Sequence, residues 1–329
     1  MKTIAFFNSQ GGVGKTTLVY HLAWMLAERG EGVLLLDLDP QANLTRMFLP
    51  EDALEELWPK GEHPKTIFGA LRPLLRGLGD VETPHIEPLD PRLGLVVGDL
   101  ALSRFEAPLS DAWPRCHKGE ASAFRTTTAF YRCALHAAAA HRATWVLIDV
   151  GPNLGAINRA ALIASRHVVI PLGPDLFSLQ GLRNLGPSLR TWRASWQELA
   201  DKNPDAELVM PEGKIKPLGY VVMQHGLRGS LPPQAYQHWL DRFPTEFRES
   251  VLDESPSQSL KAENDPYCLA MLKHYRSLMP MAMAARKPVF ALKPADGAIG
   301  AHGEAVRHAH GDFLALARSI ADRCGAVLS

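Results

Sequence analysis

Short apolar runs that end in polar or acidic turns recur along the chain, a pattern typical of strands buried on both faces of a parallel sheet. These runs cover residues 3–7, 33–36, 145–149, 168–171 and 218–223. Between the first two runs, apolar residues recur at helical spacing from Lys15 onward, and Gly30 stands where a helix would end. Residues 1–40 are therefore predicted to form one right-handed βαβ unit.

Helical spacing also predicts three later helices. One covers about 127–141, and the last covers about 304–323. Between them, apolar residues beyond Ser178 alternate in steps of three and four, so we expect a long amphipathic helix that is interrupted or kinked at Pro187.

Two segments depart from this regular pattern. Residues 50–92 and 104–124 are rich in Pro, Gly and charged side chains, and we expect both to be insertions, the first with a short helix over 66–75. Residues 225–300 give no firm assignment. The whole chain, 1–329, is predicted to be one elaborated α/β domain, since such folds often exceed 200 residues as a single unit.

Composition narrows the class of protein without revealing its partners. The 329 residues include 35 Lys+Arg and 35 Asp+Glu, so the net charge is zero, and 46% are hydrophobic. These values exclude a disordered or charged-tail protein and disfavour an extended DNA-wrapping surface. The four cysteines lack metal-ligand spacing, which favours a reducing compartment. With no signal-peptide pattern and no apolar run of about 20 residues, we expect a cytoplasmic protein.

A polar, glycine-rich segment joins the first predicted strand to the first helix. It reads Ser9-Gln10-Gly11-Gly12-Val13-Gly14-Lys15-Thr16-Thr17. Its glycines allow backbone N–H groups to converge on a phosphate chain, Lys15 can reach the β and γ phosphates, and Thr16 can offer a hydroxyl to Mg²⁺. Ser9 stands where the strict phosphate-loop pattern has glycine, so a simple glycine-rich turn remains an alternative.

Two further strands lead into carboxylates. The second strand runs into Asp37 and Asp39, and the strand over 145–149 ends at Asp149. Ligands of doubly wound sheets bind at the carboxyl ends of the strands, so these acids are expected to lie beside the phosphate site and to serve Mg²⁺. The alternative is that strand-end aspartates only cap turns.

Several segments together resemble the ParA/MinD family of deviant Walker-A ATPases. The matching segments are Gly11 to Thr17, Asp37-Leu38-Asp39-Pro40-Gln41-Ala42-Asn43, Ile148 to Gly155, Ile170-Pro171-Leu172, Ser178 to Leu182 and Leu218 to Val222. They span residues 1 to about 224. The resemblance implies a doubly wound α/β fold of the P-loop NTPase type with a mostly parallel sheet, and ATP and Mg²⁺ as cofactors.

The same resemblance implies a role for each matching residue. Gly11 to Thr17 would bind the nucleotide, with Lys15 on the phosphates and Thr16 on Mg²⁺. Asp39 would be the switch I carboxylate that positions the attacking water and lies near the metal, Asp149 would be the Walker B carboxylate at the metal, and Asp37 would assist there.

Position 10 departs from the family pattern. The signature lysine, which in the family reaches the partner subunit's phosphates, is replaced by Gln10. A glutamine carries no charge, so we expect strong ATP binding through Lys15 and slow hydrolysis. Arg159 is a candidate substitute cation, with an ordinary surface arginine as the alternative.

The family pattern also implies partners. Relatives dimerise on ATP, many bind DNA nonspecifically, and a ParB-like or cargo adaptor stimulates hydrolysis, so the cytoplasm or the nucleoid is the expected location. Candidate DNA contacts are Arg183, Arg190 and Arg193 on one helix face, and the cluster Lys273, Arg276, Arg286 and Lys287; solvated surface is the alternative for both. The tail over 313–329 lacks the basic amphipathic pattern of a membrane helix.

The leading functional hypothesis is a ParA-like ATP-dependent switch that partitions or positions a DNA or protein cargo. A nucleotide-clamped scaffold with little turnover is the second hypothesis, and Gln10 favours it. A metabolic P-loop enzyme that acts on a small molecule is the third, and the acidic switch-like turns disfavour it.

Overall fold

A computed structural model of the chain describes residues 1–223, 233–255, 260–275 and 277–328. One eight-stranded sheet lies at its centre, in the order β3-β4-β2-β5-β1-β6-β7-β8. The strands are β1 (Lys2–Phe6), β2 (Val33–Asp37), β3 (Glu87–Asp90), β4 (Leu93–Val96), β5 (Trp145–Asp149), β6 (His167–Leu172), β7 (Lys216–Met223) and β8 (Cys268–Leu272). All neighbouring pairs are parallel except β3 and β4, so the predicted doubly wound, mostly parallel sheet is confirmed.

Helices cover both faces of this sheet. They are α1 (Lys15–Glu28), α2 (Asn43–Phe48), α3 (Glu51–Leu57), α4 (Ile67–Leu75), α5 (Glu106–Cys116), α6 (Ala121–Thr127), α7 (Ala129–His141), α8 (Ala156–Ala164), α9 (Leu176–Ala200), α10 (Pro233–Leu240), α11 (Phe243–Glu246), α12 (Leu278–Ala285) and α13 (Ala301–Arg323). A π-helical segment, Phe247–Leu252, follows α11 directly.

Alternate residues of the central strand enter two separate apolar cores. Ile4 and Phe6 pack with α1 and α13, whereas Ala5 packs with α7, α8 and α9 on the opposite face. A strand with a core on each side must be apolar at every position, which explains the uninterrupted apolar runs in the sequence. The structure therefore presents the carboxyl ends of β1, β2 and β5 at one edge of a rigid sheet.

The expected insertion over 50–92 proves to be part of the sheet, because β3 lies within it and pairs with β4 at the sheet edge. Its strand sequence, Glu-Pro-Leu-Asp, is exposed at alternate positions and contains a proline, features that hide an edge strand from a search for apolar runs. The second expected insertion, 104–124, contains α5 and α6, and the described part of 225–300 contains β8 and α12.

Of the two outcomes expected at Pro187, the interruption is wrong, because α9 runs unbroken through this residue. Tertiary packing explains why the helix persists. Leu182, Leu185 and Leu189 are buried, and at Gly186 a β-carbon would lie 1.7 Å from the carbonyl oxygen of Ser250 in the π-helical segment. Within the described residues, no helix combines the length and apolarity that crossing a membrane requires.

Candidate functional site

The main-chain amides of the loop between β1 and α1 are accessible to a ligand. Gly12 and Gly14 adopt positive φ angles of 74° and 95°, which strain any other residue. A β-carbon at Gly11 or Gly12 would meet nothing within 4 Å, so this side of the loop is open space. Gly14 caps α1 without a side-chain hydrogen bond, so the first N–H groups of the helix are available to an anion.

The ammonium group of Lys15 closes this loop from inside. Its Nζ donates hydrogen bonds to the carbonyl oxygens of Asn8 and Gln10, each at 3.0 Å. Burial lowers the pKa of Lys15, while the nearby carboxylates of Asp149 and Asp39 oppose that shift. Lys15 therefore places a positive charge at the phosphate loop, where it can bind a phosphate group.

Asp149 lies buried behind this loop. The side chain has no exposed surface, and neither carboxylate oxygen accepts a well-formed hydrogen bond from any described residue. Burial raises the pKa of Asp149 well above its usual range and Asp37 adds to the rise, whereas Thr16 and Lys15 lie close enough to oppose it. An unpartnered buried carboxylate beside a threonine hydroxyl fits Mg²⁺, which commonly takes one or two protein oxygens and completes its shell with phosphate and water.

Asp37 also has a structural task that the sequence did not predict. Its Oδ2 accepts hydrogen bonds from the Thr45 amide at 2.8 Å and from the Thr45 hydroxyl at 2.7 Å. Burial raises the pKa of Asp37 to about 7. The carboxylate thus anchors α2 to the end of β2 through Oδ2, while Oδ1 accepts from the Asp39 amide at 3.3 Å.

Asp39 lies where the loops after β2 and β5 meet. Its Oδ1 accepts a hydrogen bond from the Gln41 amide at 3.0 Å and would lie 3.3 Å from a β-carbon at Gly151. Glycine at 151 therefore allows this close approach. The buried Asn158 of α8 fixes the same loop, because its Nδ2 donates to the carbonyl oxygens of Gly151 at 2.9 Å and of Asn153 at 2.6 Å. No sequence motif points to Asn158.

Gln10 is held within its own chain. Its Nε2 donates to Asp175 Oδ2 at 3.1 Å, and its Oε1 accepts from the Ser178 hydroxyl at 2.7 Å. Asp175 caps α9 through the Ser178 amide, and the Ser178 hydroxyl in turn accepts from the Gly173 amide. The side chain at position 10 therefore ties the phosphate loop to the first turn of α9.

A cavity of about 650 Å³ opens from the loop and runs along α1. Most of the predicted phosphate-site residues line it, together with Asp39, whereas Gln10, Val13 and Asp149 do not. Its far wall is α12, with Met279, Met283 and Arg286. The volume lies in the usual range for a small-molecule site. The sequence contained no motif that placed α12 here, since the apolar spacing of this helix resembles that of any buried helix.

Arg286 and Lys287 of the second predicted cationic cluster line this cavity, whereas Arg159 and the arginines of α9 do not. Arg159 is half-buried rather than on the surface: its guanidinium packs over the Trp113 ring at 4.3 Å, on α5, and it does not line the cavity. Arg183 pairs with Glu246 at 2.7 Å, and Arg190 donates to the Ser250 carbonyl oxygen at 2.5 Å, so these two hold α9 to the segment after it. Arg193 is exposed. In the second cluster, Arg276 lies outside the described residues.

The buried carboxyl group of Asp149 predicts a specific pH dependence of stability. A folded-state pKa above the ordinary carboxyl value means that the ligand-free protein loses stability as pH rises between those two values, by up to about 1.4 kcal/mol per pH unit. Asp149→Asn removes the ionisable carboxyl group and with it this dependence of stability on pH. The stability of this variant relative to the parent should therefore increase from pH 5 to pH 8 in urea unfolding without nucleotide.

The exposed Asp52 of α3 provides the matched control, because Asp52→Asn removes the same charge without relieving any burial. Its stability relative to the parent should not vary with pH in this range. A pH-independent difference for Asp149→Asn would show that the buried carboxylate is compensated in the folded protein.

Comparison with known proteins agrees with this geometry. A family model described as an AAA domain matches residues 1–200, which is more than half of the chain. The chromosome partitioning protein ParA of Caulobacter vibrioides is 28% identical over 254 residues, covering 77% of this chain and 80% of the relative.

Two solved structures have the same fold. Protein DIP2308 from Corynebacterium diphtheriae has a TM-score of 0.69 and 25% identity, over 87% of this chain and 97% of that one. A putative plasmid partition protein from Borrelia burgdorferi, bound to AMPPNP, has a TM-score of 0.56 and 16% identity, over 96% of this chain and 97% of that one. The chain belongs to the AAA domain family that matches residues 1–200, and within it resembles the ParA-type P-loop ATPases.

Proposed function

We propose that this chain is a ParA-like, ATP-dependent dimerisation switch that partitions or positions a DNA or protein cargo. The observation that carries the proposal is the buried, unpartnered carboxylate of Asp149 next to Lys15 and Thr16, behind a loop of open amides. The sequence similarity to a chromosome partitioning protein supports the same assignment.

Different residues of the site would bind the phosphates, the metal ion and the attacking water. Gly11 to Thr17 would hold the phosphates through main-chain amides and the Lys15 ammonium, and Thr16 with Asp149 would hold Mg²⁺. Bound Mg²⁺ would neutralise charge on the phosphate oxygens. Asp39 uses Oδ1 on the Gln41 amide and has no hydrogen bond from a described residue to Oδ2, so Oδ2 can orient the attacking water.

Exposed apolar side chains beside the site support a nucleotide-bound dimer. Leu154 follows Asp149 in the next loop, and Leu176 and Phe177 begin α9; they are 38%, 47% and 72% exposed. Large exposed apolar side chains in loops at the carboxyl edge of the sheet, the edge that holds the phosphate loop, suit burial by a second subunit. We propose a homodimer on ATP binding, a ParB-like or cargo adaptor as partner, and a place in the cytoplasm or on the nucleoid.

Light scattering and phosphate release test this switch. The parent should be a monomer with ADP and a dimer with Mg-ATP. Asp39→Ala should keep ATP uptake, lower turnover by about a hundredfold or more because the water is no longer oriented, and remain dimeric in ATP. Asp52→Ala is the control and should behave as the parent. A parent that stays monomeric with ATP contradicts the switch.

The uncharged side chain at position 10 supports slow ATP hydrolysis, which is part of the proposed function. Its amide side chain is held by Asp175 and Ser178 and has no charge to offer a phosphate. This arrangement also suits the second candidate function, a nucleotide-clamped scaffold with little turnover.

Gln10→Lys should raise ATP turnover by about tenfold or more at saturating ATP, because a charge-assisted contact to phosphate contributes about 1.5–3 kcal/mol. ATP uptake should change little, since Lys15 remains. The control is Gln197→Lys, which adds the same charge on the exposed side of α9 and should leave turnover unchanged. Equal turnover in the parent and Gln10→Lys would mean that the missing lysine does not limit the rate.

A further inference from the structure

A second cavity lies at the edge of the sheet opposite the phosphate loop. We call it the amino-edge basin: it has a volume of about 550 Å³ and lies where β1, β6 and β7 begin and α13 ends. A volume of this size is typical of a small-molecule site. No step proposed for ATP uses the residues of this basin. Five cationic side chains line it, namely Lys2, Arg166, Lys214, Lys216 and Arg323.

The basin is strongly cationic in a chain whose net charge is zero. None of the described residues that line it is a carboxylate. Glu212 lies beside it, with one oxygen 3.8 Å from Arg166 and the other 2.8 Å from Lys214, and all three side chains are more than half exposed. Exposed ion pairs of this kind contribute little stability, so most of the positive charge remains available to a ligand.

Three of the cations lie close to one pair of side chains in the lining. The Cys324 thiol lies 3.7 Å from Nδ1 of His167, a ring that is only 6% exposed. Burial raises the pKa of Cys324 to about 11, and three positive charges oppose that rise, those of Lys2, Arg166 and Lys216. Burial also lowers the pKa of His167 to about 4, with Arg166 and Lys216 adding to the fall. Cations from the starts of three strands therefore converge on the same part of the basin.

The backbone under these cations is firmly fixed. The Arg166 amide donates to Thr3 Oγ1 at 2.8 Å, and the Lys216 amide donates to the Arg166 carbonyl oxygen at 2.9 Å. Neighbouring strands are about 4.8 Å apart, so the starts of β1, β6 and β7 span about 10 Å. The spacing of the cations is therefore set by the sheet itself.

Arg323 is held in place as one wall of the basin. Its guanidinium donates to the Leu218 carbonyl oxygen at 2.8 Å and to the Pro266 carbonyl oxygen, and it lies over the Tyr267 ring at 5.0 Å. A guanidinium has five N–H groups, so these contacts leave some of them available to an anion. The arginine thus offers donors whose direction is already fixed.

The ligand that fits this arrangement is a small polyanion with clustered phosphates. A phosphate group has three strong acceptor oxygens and carries up to about two negative charges. Two or three adjacent phosphates match five cations spread over about 10 Å better than a single anion does. A nucleic-acid duplex suits the basin poorly, because its convex surface would meet only the rim of a concave site.

We propose that the amino-edge basin binds a small polyphosphate, inorganic or carried by a nucleotide, at a site separate from the phosphate loop. The strands between the two sites are five to eight residues long, so the sites lie about 15 Å or more apart. A triphosphate bound at one site leaves the other open. The proposal goes beyond the proposed function and does not rest on it.

Calorimetric titration of inorganic triphosphate without magnesium into Lys15→Ala tests the basin, because this variant lacks the ammonium group of the phosphate loop. We expect one equivalent to bind. Adding Arg166→Gln with Lys216→Gln should weaken binding by about tenfold or more, since two charge-assisted contacts are removed. Adding Arg166→Lys with Lys216→Arg keeps both charges and should retain most of the affinity. The control pair, Arg193→Gln with Lys202→Gln, removes two exposed charges from α9 and its end and should change little.

Titration of ATP into the same variants distinguishes the two sources of the phosphates. ATP that binds more tightly than triphosphate would indicate a nucleotide, and ATP that binds equally or less tightly would indicate an inorganic polyphosphate. Both results support the basin, provided that the glutamine pair weakens the binding.

Several results would overturn the basin. They are no uptake of triphosphate, an unchanged affinity in the glutamine pair, or an equal loss in the control pair or in the charge-retaining pair. Orthophosphate that binds as tightly as triphosphate would mean an adventitious ion only. Displacement of triphosphate by a random-sequence duplex at equal phosphate would indicate an extended backbone, and displacement by polyglutamate at equal charge would indicate an acidic protein partner; either also overturns the basin.

Failure of the basin and failure of the proposed function are distinguishable. Every titration of the basin uses chains that carry Lys15→Ala, whereas ATP uptake at the phosphate loop is measured on the parent. A parent that takes up no ATP would therefore overturn the proposed function alone.

Discussion

The site depends on the placement of one buried ammonium group and two buried carboxylates at the edge of an apolar sheet. Lys15 is held by two loop carbonyl oxygens, and Asp37 is satisfied by Thr45, but Asp149 has no well-formed hydrogen bond from any described residue. Burying an unpaired carboxylate costs several kcal/mol in general. The fold can bear that cost because the flanking strands have a core on each face. A cation that binds there would recover part of it, which couples stability to ligand binding.

The phosphate loop is also joined to distant elements through short polar contacts. Asn8 Nδ2 donates to the Pro171 carbonyl oxygen at 2.7 Å, and Gln10 reaches Asp175 and Ser178 at the start of α9. Asn158 fixes the loop after β5 against α8. The exposed Phe177 begins the same helix that Gln10 contacts. These hydrogen bonds therefore connect the phosphate loop directly to the helix that carries part of the apolar surface proposed for dimerisation.

The central part of the fold and of the site was predictable because it depends on local signals. Apolar runs fixed β1, β2, β5, β6 and β7, and the loop residues Gly12 and Gly14 have the positive φ angles that only glycine adopts easily. The remainder depends on tertiary contacts. Pro187 is tolerated because α9 packs on the π-helical segment, and the engagement of Asp37 by Thr45 depends on a residue eight positions away. Arg159 packs on α5, where it contacts the Trp113 ring and the Leu109 carbonyl oxygen. These residues lie about 50 positions earlier in the sequence, and no motif encodes the contact.

Calorimetric titration of Mg-ATP into the parent and into Lys15→Ala measures whether the loop and its lysine bind a triphosphate. Lys65→Ala is the control, because it removes an exposed lysine that belongs neither to the loop nor to the lining of the cavity. We expect saturable, magnesium-dependent uptake by the parent and by the control, and a loss of about a hundredfold or more in affinity for Lys15→Ala, since a buried charge-assisted contact to phosphate is removed. No uptake by the folded parent, or equal uptake by Lys15→Ala, would contradict the account.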